Sequence, residues 1–445
     1  MADRTFSARF LDSFSSMGRA LKHRNYRLFF MGQAVSLVGT WITRVAMSWL
    51  VYRITGSAWV LGVVGFASQL PTFLLSPIAG ALVDRWDRHR TLVVTQIFSL
   101  VQSALLCLVT VTGRASVWNL LALAALQGAI NAFDTPARQA FVIDMVNSRE
   151  ELPNAIALNS SMVNASRLIG PAVAGVLIAS IGEGWCFGLD ALSYVAVIAS
   201  LLAMTELQPV PRRAAVSLFS SMREGYDYVS RFPPIRALLL MLALVSLASV
   251  PYTTLMPIFA TRVLHGGAHT LGYLMGASGL GATCGALWMA SRKSVIGLDR
   301  IIPISIAVLG VSLCLFAKST TLWIALPLLT VVGGGMIIGF AAINTMLQTL
   351  ADSDKRGRVM SFGTMAFFGV IPFGSLLAGW LGDRVGVPTT VLITGVLALV
   401  GVAVFAAVLP GLQPHIRPVY ERLGILPVVA TGLRDATAEL DATKQ

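Results

Sequence analysis

The stretch Gly80-Ala-Leu-Val-Asp84-Arg85-Trp86-Asp87-Arg88-His89-Arg90 sets five charged side chains within seven positions, in a chain where only 12% of residues are charged. Apolar runs flank it on both sides, at roughly 57–82 and 91–112. Each is long enough for a bilayer core of about 30 Å, which takes about 20 apolar residues per helix. A charged knot between two such runs reads as the aqueous turn of a pair of membrane helices.

Working outward, further apolar runs of spanning length lie at roughly 26–51, 116–135, 154–181, 185–204, 236–261, 270–290, 301–317, 321–348, 359–381 and 387–409. With the first two, that makes twelve. The composition agrees: 56% of the 445 residues are hydrophobic and the mean hydropathy is +0.75. Such values exclude a disordered chain, a collagen and an ordinary cytosolic enzyme. The longest polar interruption, 205–235, divides the chain into 26–204 and 236–409. Residues 1–25 and 410–445 then form an N-terminal segment and a tail. Residues 1–25 lack the apolar core and small-residue cleavage site of a signal peptide, so the run from Leu28 onward is expected to be a retained, targeting helix.

The net charge of +12 is compatible with a nucleic-acid partner, but the positions of the cations give a simpler account. With both termini placed inside, 26 of the 33 Lys and Arg fall in inside segments. Only Arg53, Arg114, Arg262, Lys318 and Arg384 lie outside, and Arg44 and Arg167 lie within spans. Cytoplasmic loops carry such an excess, so twelve spans and this orientation support each other, and no nucleic acid is expected.

Two pairs of passages repeat at nearly one offset. Leu61-Gly62-Val-Val-Gly-Phe-Ala67-Ser68-Gln-Leu70 matches Leu271-Gly272-Tyr-Leu-Met-Gly-Ala277-Ser278-Gly-Leu280, and Phe14-Ser-Ser-Met17 matches Phe219-Ser-Ser-Met222. Phe6, Phe10, Phe14, Met17 and Leu21 make one helical stripe, and Phe219, Met222, Tyr226 and Val229 another. Both suit amphipathic helices on the basic membrane face. Cys107, Cys186, Cys284 and Cys314 sit in or beside apolar runs without metal or disulfide spacing, and the five His residues show no ligand spacing. No cofactor or metal is expected.

The loop at 80–90 resembles the major facilitator superfamily, whose pattern there is Gly, three residues, Asp-Arg, one residue, usually Gly, then basic residues. Gly80, Asp84, Arg85, Arg88 and Arg90 match; Asp87 stands where Gly is usual and His89 at a basic position. The resemblance implies an all-α protein of two six-helix bundles, with 3+3 repeats in each, rocking about a central site. It also implies a gate. Asp84 would accept hydrogen bonds from the start of the eleventh span near Gly357–Val359, and Arg85 would pair with Asp134. A plainer alternative is a charged loop that only sets topology.

Arg167-Leu-Ile-Gly170-Pro171-Ala-Val-Ala-Gly175 resembles part of the Gly-Pro element associated with exporters of this superfamily. Generic small-residue packing is the plainer reading, as it is for Gly272/Gly276, Gly281/Gly285 and Gly335/Gly339. Asn131-Ala-Phe-Asp134-Thr-Pro136-Ala-Arg138-Gln139, Leu152-Pro-Asn154-Ala-Ile-Ala-Leu-Asn159-Ser and Arg356-Gly-Arg358-Val-Met-Ser361 look like the branch holding the enterobactin exporter and macrolide-efflux proteins. That branch exports siderophores or drug-like molecules by proton exchange.

Polar residues inside spans are costly and mark a path by default. Gln33, Ser36, Thr40 and Arg44 share one helical face; so do Gln127, Asn131, Asp134 and Arg138, then Ser246, Ser249 and Thr253, then Asn344 and Gln348. Asp190 and Arg167 lie on neighbouring spans and are candidates for a structural pair, or Asp190 or Asp134 carries the exchanged proton. The expected protein is a monomeric, multi-pass antiporter of the inner membrane that exports a small amphipathic molecule. The alternatives are uptake, which the Gly-Pro element disfavours, or flipping of a lysolipid. An enzyme would need a catalytic set at helical spacing and an ATP-driven pump a phosphate-binding loop, and neither pattern occurs.

Overall fold

A computed structural model describes residues 20–145, 152–205, 218–292 and 294–425. The stripe at 6–17, the cations Arg149, Arg212, Arg213 and Lys293, the side chains of Phe219 and Met222, and the tail beyond 425 lie outside the described residues. Every regular element described is helical: α1 (Arg24–Thr55), α2 (Ala58–Val83), α3 (Arg88–Val111), α4 (Val117–Asp144), α5 (Leu152–Leu202), α6 (Leu218–Arg231), α7 (Pro233–Ile258), α8 (Ala268–Ser291), α9 (Leu298–Ala317), α10 (Leu322–Leu350), α11 (Arg356–Phe368), α12 (Val370–Val385) and α13 (Val387–Arg422), with short turns at Ala20–Lys22 and Phe259–Val263. Among the described residues, nine helical stretches are long and apolar enough to cross a membrane.

Local chemistry sets the boundaries. Gly56 ends α1 in the left-handed conformation at φ 62°, and the Ser57 hydroxyl then caps α2 by accepting from Val60 N at 3.4 Å. Asp87, the residue that departs from the loop pattern, caps α3 by accepting from Arg90 N at 2.9 Å. Ser116 does the same for α4 through Asn119 N at 3.3 Å. The expected break near 182–184 narrows to one residue: Gly182, at φ 81° and ψ 166°, interrupts α5 without a loop. The run at 359–381 is broken between α11 and α12, and its freed Phe367 carbonyl accepts from Ser246 Oγ at 2.6 Å.

Two boundaries move outward. α4 runs to Asp144, nine residues past the apolar run that announced it, because its last turns are amphipathic and pack on α3. α13 runs through Pro410, Pro414 and Pro418 to Arg422, although the tail was expected from 410. Those prolines recur every fourth residue, so the backbone groups they leave unpaired line one face of the helix.

Two sets of helices result. In the first, α1 packs on α5, α2 on α4, and α3 on both α4 and α5. In the second, α8 packs on α10, α9 on α10 and α13, and α7 on α12 and α13. The sets meet along two seams, α5 with α8 and α2 with α12. Small residues make both seams possible: a Cβ added at Gly62 of α2 would lie 3.0 Å from Gly379 Cα on α12, and one added at Gly175 of α5 would lie 2.9 Å from Gly272 Cα on α8.

Candidate substrate path and gates

The cations Arg85, Arg88, Arg90, Arg138, Arg356 and Arg358 gather at one end of the molecule, termed here the basic end. The two sets are sealed at the other end. Asp383, at the close of α12, accepts from Ser57 Oγ at 2.8 Å, Ala58 N at 2.8 Å and Trp59 N at 3.1 Å. A carboxylate on the exposed N–H groups that open α2 also meets the positive end of that helix dipole. Arg262, just past α7, donates from Nη2 to the Gly56 carbonyl at 2.8 Å and from Nε to Tyr52 Oη at 3.2 Å. The α2–α12 seam continues inward through Phe66 against Phe373, ring centroids 6.1 Å apart, to Phe73 against Gly369.

Toward the basic end the seams stop. The α5–α8 contact reaches Thr283, whose hydroxyl donates to the Asn164 carbonyl at 3.5 Å. α11 packs on α6, α7 and α10 of its own set. A Cβ added at Gly80 would meet nothing within 4 Å. The Asp84 and Arg85 side chains are exposed and form no hydrogen bond or ion pair among the described residues. The expected contact of Asp84 with the start of α11 is therefore not made in this conformation. Nor is Arg85 paired with Asp134, because Arg138 occupies that carboxylate. Arg88 pairs with Asp144 at 2.7 Å and ties the loop to α4 of its own set, while Arg90 lies 4.0 Å from Asp87.

The linker helix α6 is fastened to the second set at the basic end. Glu224 pairs with Arg358 at 2.5 Å, Tyr228 Oη donates to Asp352 Oδ2 at 3.1 Å, and Arg422 reaches Asp352 at 3.4 Å. Burial pushes the Tyr228 phenol above its ordinary range, so it stays a donor.

The Gly-Pro element lies where three helices converge. Gly170 receives Trp41 of α1, and Gly175 receives Gly272 of α8. Pro171 lacks the N–H that would bond the Arg167 carbonyl, and that oxygen faces Gly279 of α8, 2.6 Å from where its Cβ would stand.

The polar stripes divide into buried and accessible residues. Gln33 and Asp134 are buried within the first set. Asp134 accepts from Gln96 Nε2 at 2.7 Å, Thr95 Oγ1 at 3.0 Å and Arg138 Nη2 at 2.8 Å, and Arg138 Nη1 donates to Gln33 Oε1 at 3.1 Å. The α4 stripe thus turns partly onto α3 rather than wholly toward the path. Ser249 and Thr253 donate to carbonyls of their own helix, and Asn344 does so to Phe340 at 2.9 Å. Thr40, Gln127, Asn131 and Arg167 are half-buried, and Arg44 and Gln348 are exposed despite their places along long helices. Gln127 donates to Asn131 Oδ1 at 3.1 Å.

Asp190 does not pair with Arg167. It is 1% exposed and accepts from Thr43 Oγ1 at 2.7 Å and Ser103 Oγ at 2.9 Å, with Ser193 Oγ at 3.5 Å. Gly39 makes room for it, since a Cβ there would stand 2.6 Å from Asp190 Oδ1. Its donors are all neutral hydroxyls, unlike those of Asp134. Asp383, Arg262 and Tyr252 were not singled out in the sequence. The first two look like ordinary loop charges, and only their partners across the seams give them a role. No group of His, Cys, Asp and Glu able to hold a metal occurs among the described residues.

These features accord with what the chain is similar to. Residues 15–415 match the family model described as transmembrane secretion effector. The staphyloferrin A transporter of Staphylococcus aureus is 28% identical over 385 residues, covering 85% of this chain and 95% of that relative. Macrolide efflux protein A of Streptococcus pyogenes is 24% identical over 388 residues, covering 85% and 95%. The solved structure of a bacterial homologue of the human lysosomal transporter Spinster, inward-facing and occupied, superposes with a TM-score of 0.68 at 14% identity, covering 86% of this chain and 96% of that one. The chain belongs to the transmembrane secretion effector family and is a multi-pass membrane transporter of the major facilitator superfamily.

Proposed function

We propose that the protein is a twelve-span exporter of the cytoplasmic membrane that moves a small amphipathic organic molecule, a siderophore or drug-like compound, outward in exchange for protons. Counting the two arms of α5 as separate spans, and adding α4 and α8 to the nine strongly apolar stretches, makes twelve. Polar side chains in α4 and the glycines of α8 lower the apolarity of those two. Residues 26–204 and 236–409 are the two bundles, and the basic end with both termini faces the cytoplasm. The observation that carries this reading is the asymmetry of the seams. The bundles are bolted together by Asp383, Arg262 and Gly62/Gly379 at one end and part at the other, an arrangement open to the cytoplasm.

In the opposite state the Gly80–Asp84 segment closes on α11, and the seals at Asp383 and Arg262 break. Arg85, Arg88 and Arg90 set the orientation of that loop. Asp190 carries the proton, and Asp134 with Arg138 and Gln33 holds α1, α3 and α4 as one body. Gln127, Asn131, Thr40, Asn344 and Gln348 line the path. The name of the macrolide efflux relative supports the direction, and that of the staphyloferrin A transporter supports the class of cargo.

Everted membrane vesicles from cells producing the protein test the reading. Radiolabelled erythromycin is expected to accumulate when a proton gradient is imposed and to leak out when an uncoupler collapses it. Accumulation only in right-side-out vesicles would show an importer.

A further inference from the structure

Among the described residues, no carboxylate pairs with Arg44 or Arg167. Arg44 lies twenty residues along α1 from its start, about 30 Å at 1.5 Å per residue, yet its side chain is exposed rather than packed into the first set. Its guanidinium lies over the Trp41 ring, 4.6 Å from the centroid. Trp41 in turn packs on Gly170, and Arg167 is one turn from Gly170 on α5. The two cations thus flank one contact, that of Trp41 with Gly170. Neither forms a hydrogen bond or ion pair among the described residues.

The nearby carboxylates are engaged elsewhere: Asp190 with Thr43 and Ser103, Asp134 with Arg138. The Arg167 carbonyl packs on Gly279 of α8, next to Ser278, whose Oγ shares a hydrogen bond of 3.1 Å with the Tyr252 hydroxyl. A cation within a membrane span is ordinarily paired or hydrated, because removing it from water is costly. Two like charges side by side raise that cost unless an anion comes from outside the chain.

We propose that Arg44 and Arg167 bind an oxyanion group of the cargo, a carboxylate or a phosphate, at the junction of α1, α5 and α8. The proposal rests on the efflux reading and extends its cargo to molecules that carry negative charge. The planar guanidinium fork matches two oxygens of either group, and Tyr252 and Ser278 add neutral hydroxyls beside it.

Thermal unfolding of the purified full-length protein tests this with three probes: citrate as a soluble carboxylate, lysophosphatidylglycerol as an anionic lipid and erythromycin, which bears an amine and no acid. A saturable rise in melting temperature is expected with citrate or with the lysolipid, and whichever acts identifies the source of the oxyanion. Arg44→Gln and Arg167→Gln should each raise the half-saturating concentration about tenfold or more, and Arg44→Lys should recover part of the loss. The lysine variant, with monodispersity of all three proteins on size exclusion, separates lost charge from misfolding. No charge-dependent shift with either anion overturns the proposal, whatever erythromycin does. Erythromycin uptake by everted vesicles from the same cells reports separately on the efflux reading.

Discussion

At the scale of single residues, two carboxylates of similar burial have different surroundings and therefore different expected behaviour. Asp134 is balanced by Arg138 and by amide and hydroxyl donors, so Asp134→Asn strands a cation. Removing one partner of a partly buried pair costs about 1–3 kcal/mol, which should appear as a lower melting temperature of the purified protein. Asp190 has only hydroxyls for partners, and Asn fits among them with little strain. Asp190→Asn should insert and fold normally, yet lose the pH dependence of export in everted vesicles; an unchanged pH profile would move the proton site elsewhere. Asp383 is exposed, so its cap on α2 is worth only about 0.3–1 kcal/mol. Asp383→Asn should loosen the seal modestly, seen as faster labelling of a cysteine placed at Ser375 by an external, membrane-impermeant maleimide.

At the scale of elements, the seams depend on backbone contact. Gly62→Leu would drive a side chain into Gly379, and export should fall at least about tenfold with insertion retained. Gly80→Leu meets empty space in this conformation and should leave the melting temperature unchanged. It should still slow export, because Gly80 must approach α11 when the basic end closes; normal export would remove the loop from gating. Most of the element map was legible in the sequence. Apolar runs are contiguous, and the charged loop at 80–90 separates two of them. The break at 182–184 was legible as a gap between two runs, whereas the one between α11 and α12 was not, because local backbone geometry inside an unbroken apolar run decides it. The polar stripes were legible as faces, but helical spacing cannot say which neighbour a face meets. That is why Asp134 turned out to be shared with α3, and why Asp190 found Thr43 and Ser103 instead of Arg167.

At the scale of the whole molecule, the family and its all-helical, multi-pass character followed from composition and one loop, whereas the conformation did not. Asp84 does not reach α11 in this conformation, and no local pattern of residues says so. The seal at Asp383 and Arg262 was likewise hidden, since it joins residues more than 200 positions apart. The central claim is that this seal must open for cargo to leave. A reversible crosslink tests it. A Cβ built at Gly382 stands 2.8 Å from Ala58 Cβ, and a disulfide needs about 3.8 Å, a shift of about 1 Å. The pair Ala58→Cys and Gly382→Cys is placed in a background where Cys107, Cys186, Cys284 and Cys314 are replaced. Proton-driven accumulation of erythromycin in everted vesicles is then measured before oxidation, after it, and after reduction with dithiothreitol. The account predicts that oxidation abolishes transport and reduction restores it. Undiminished transport by the fully crosslinked protein would contradict it.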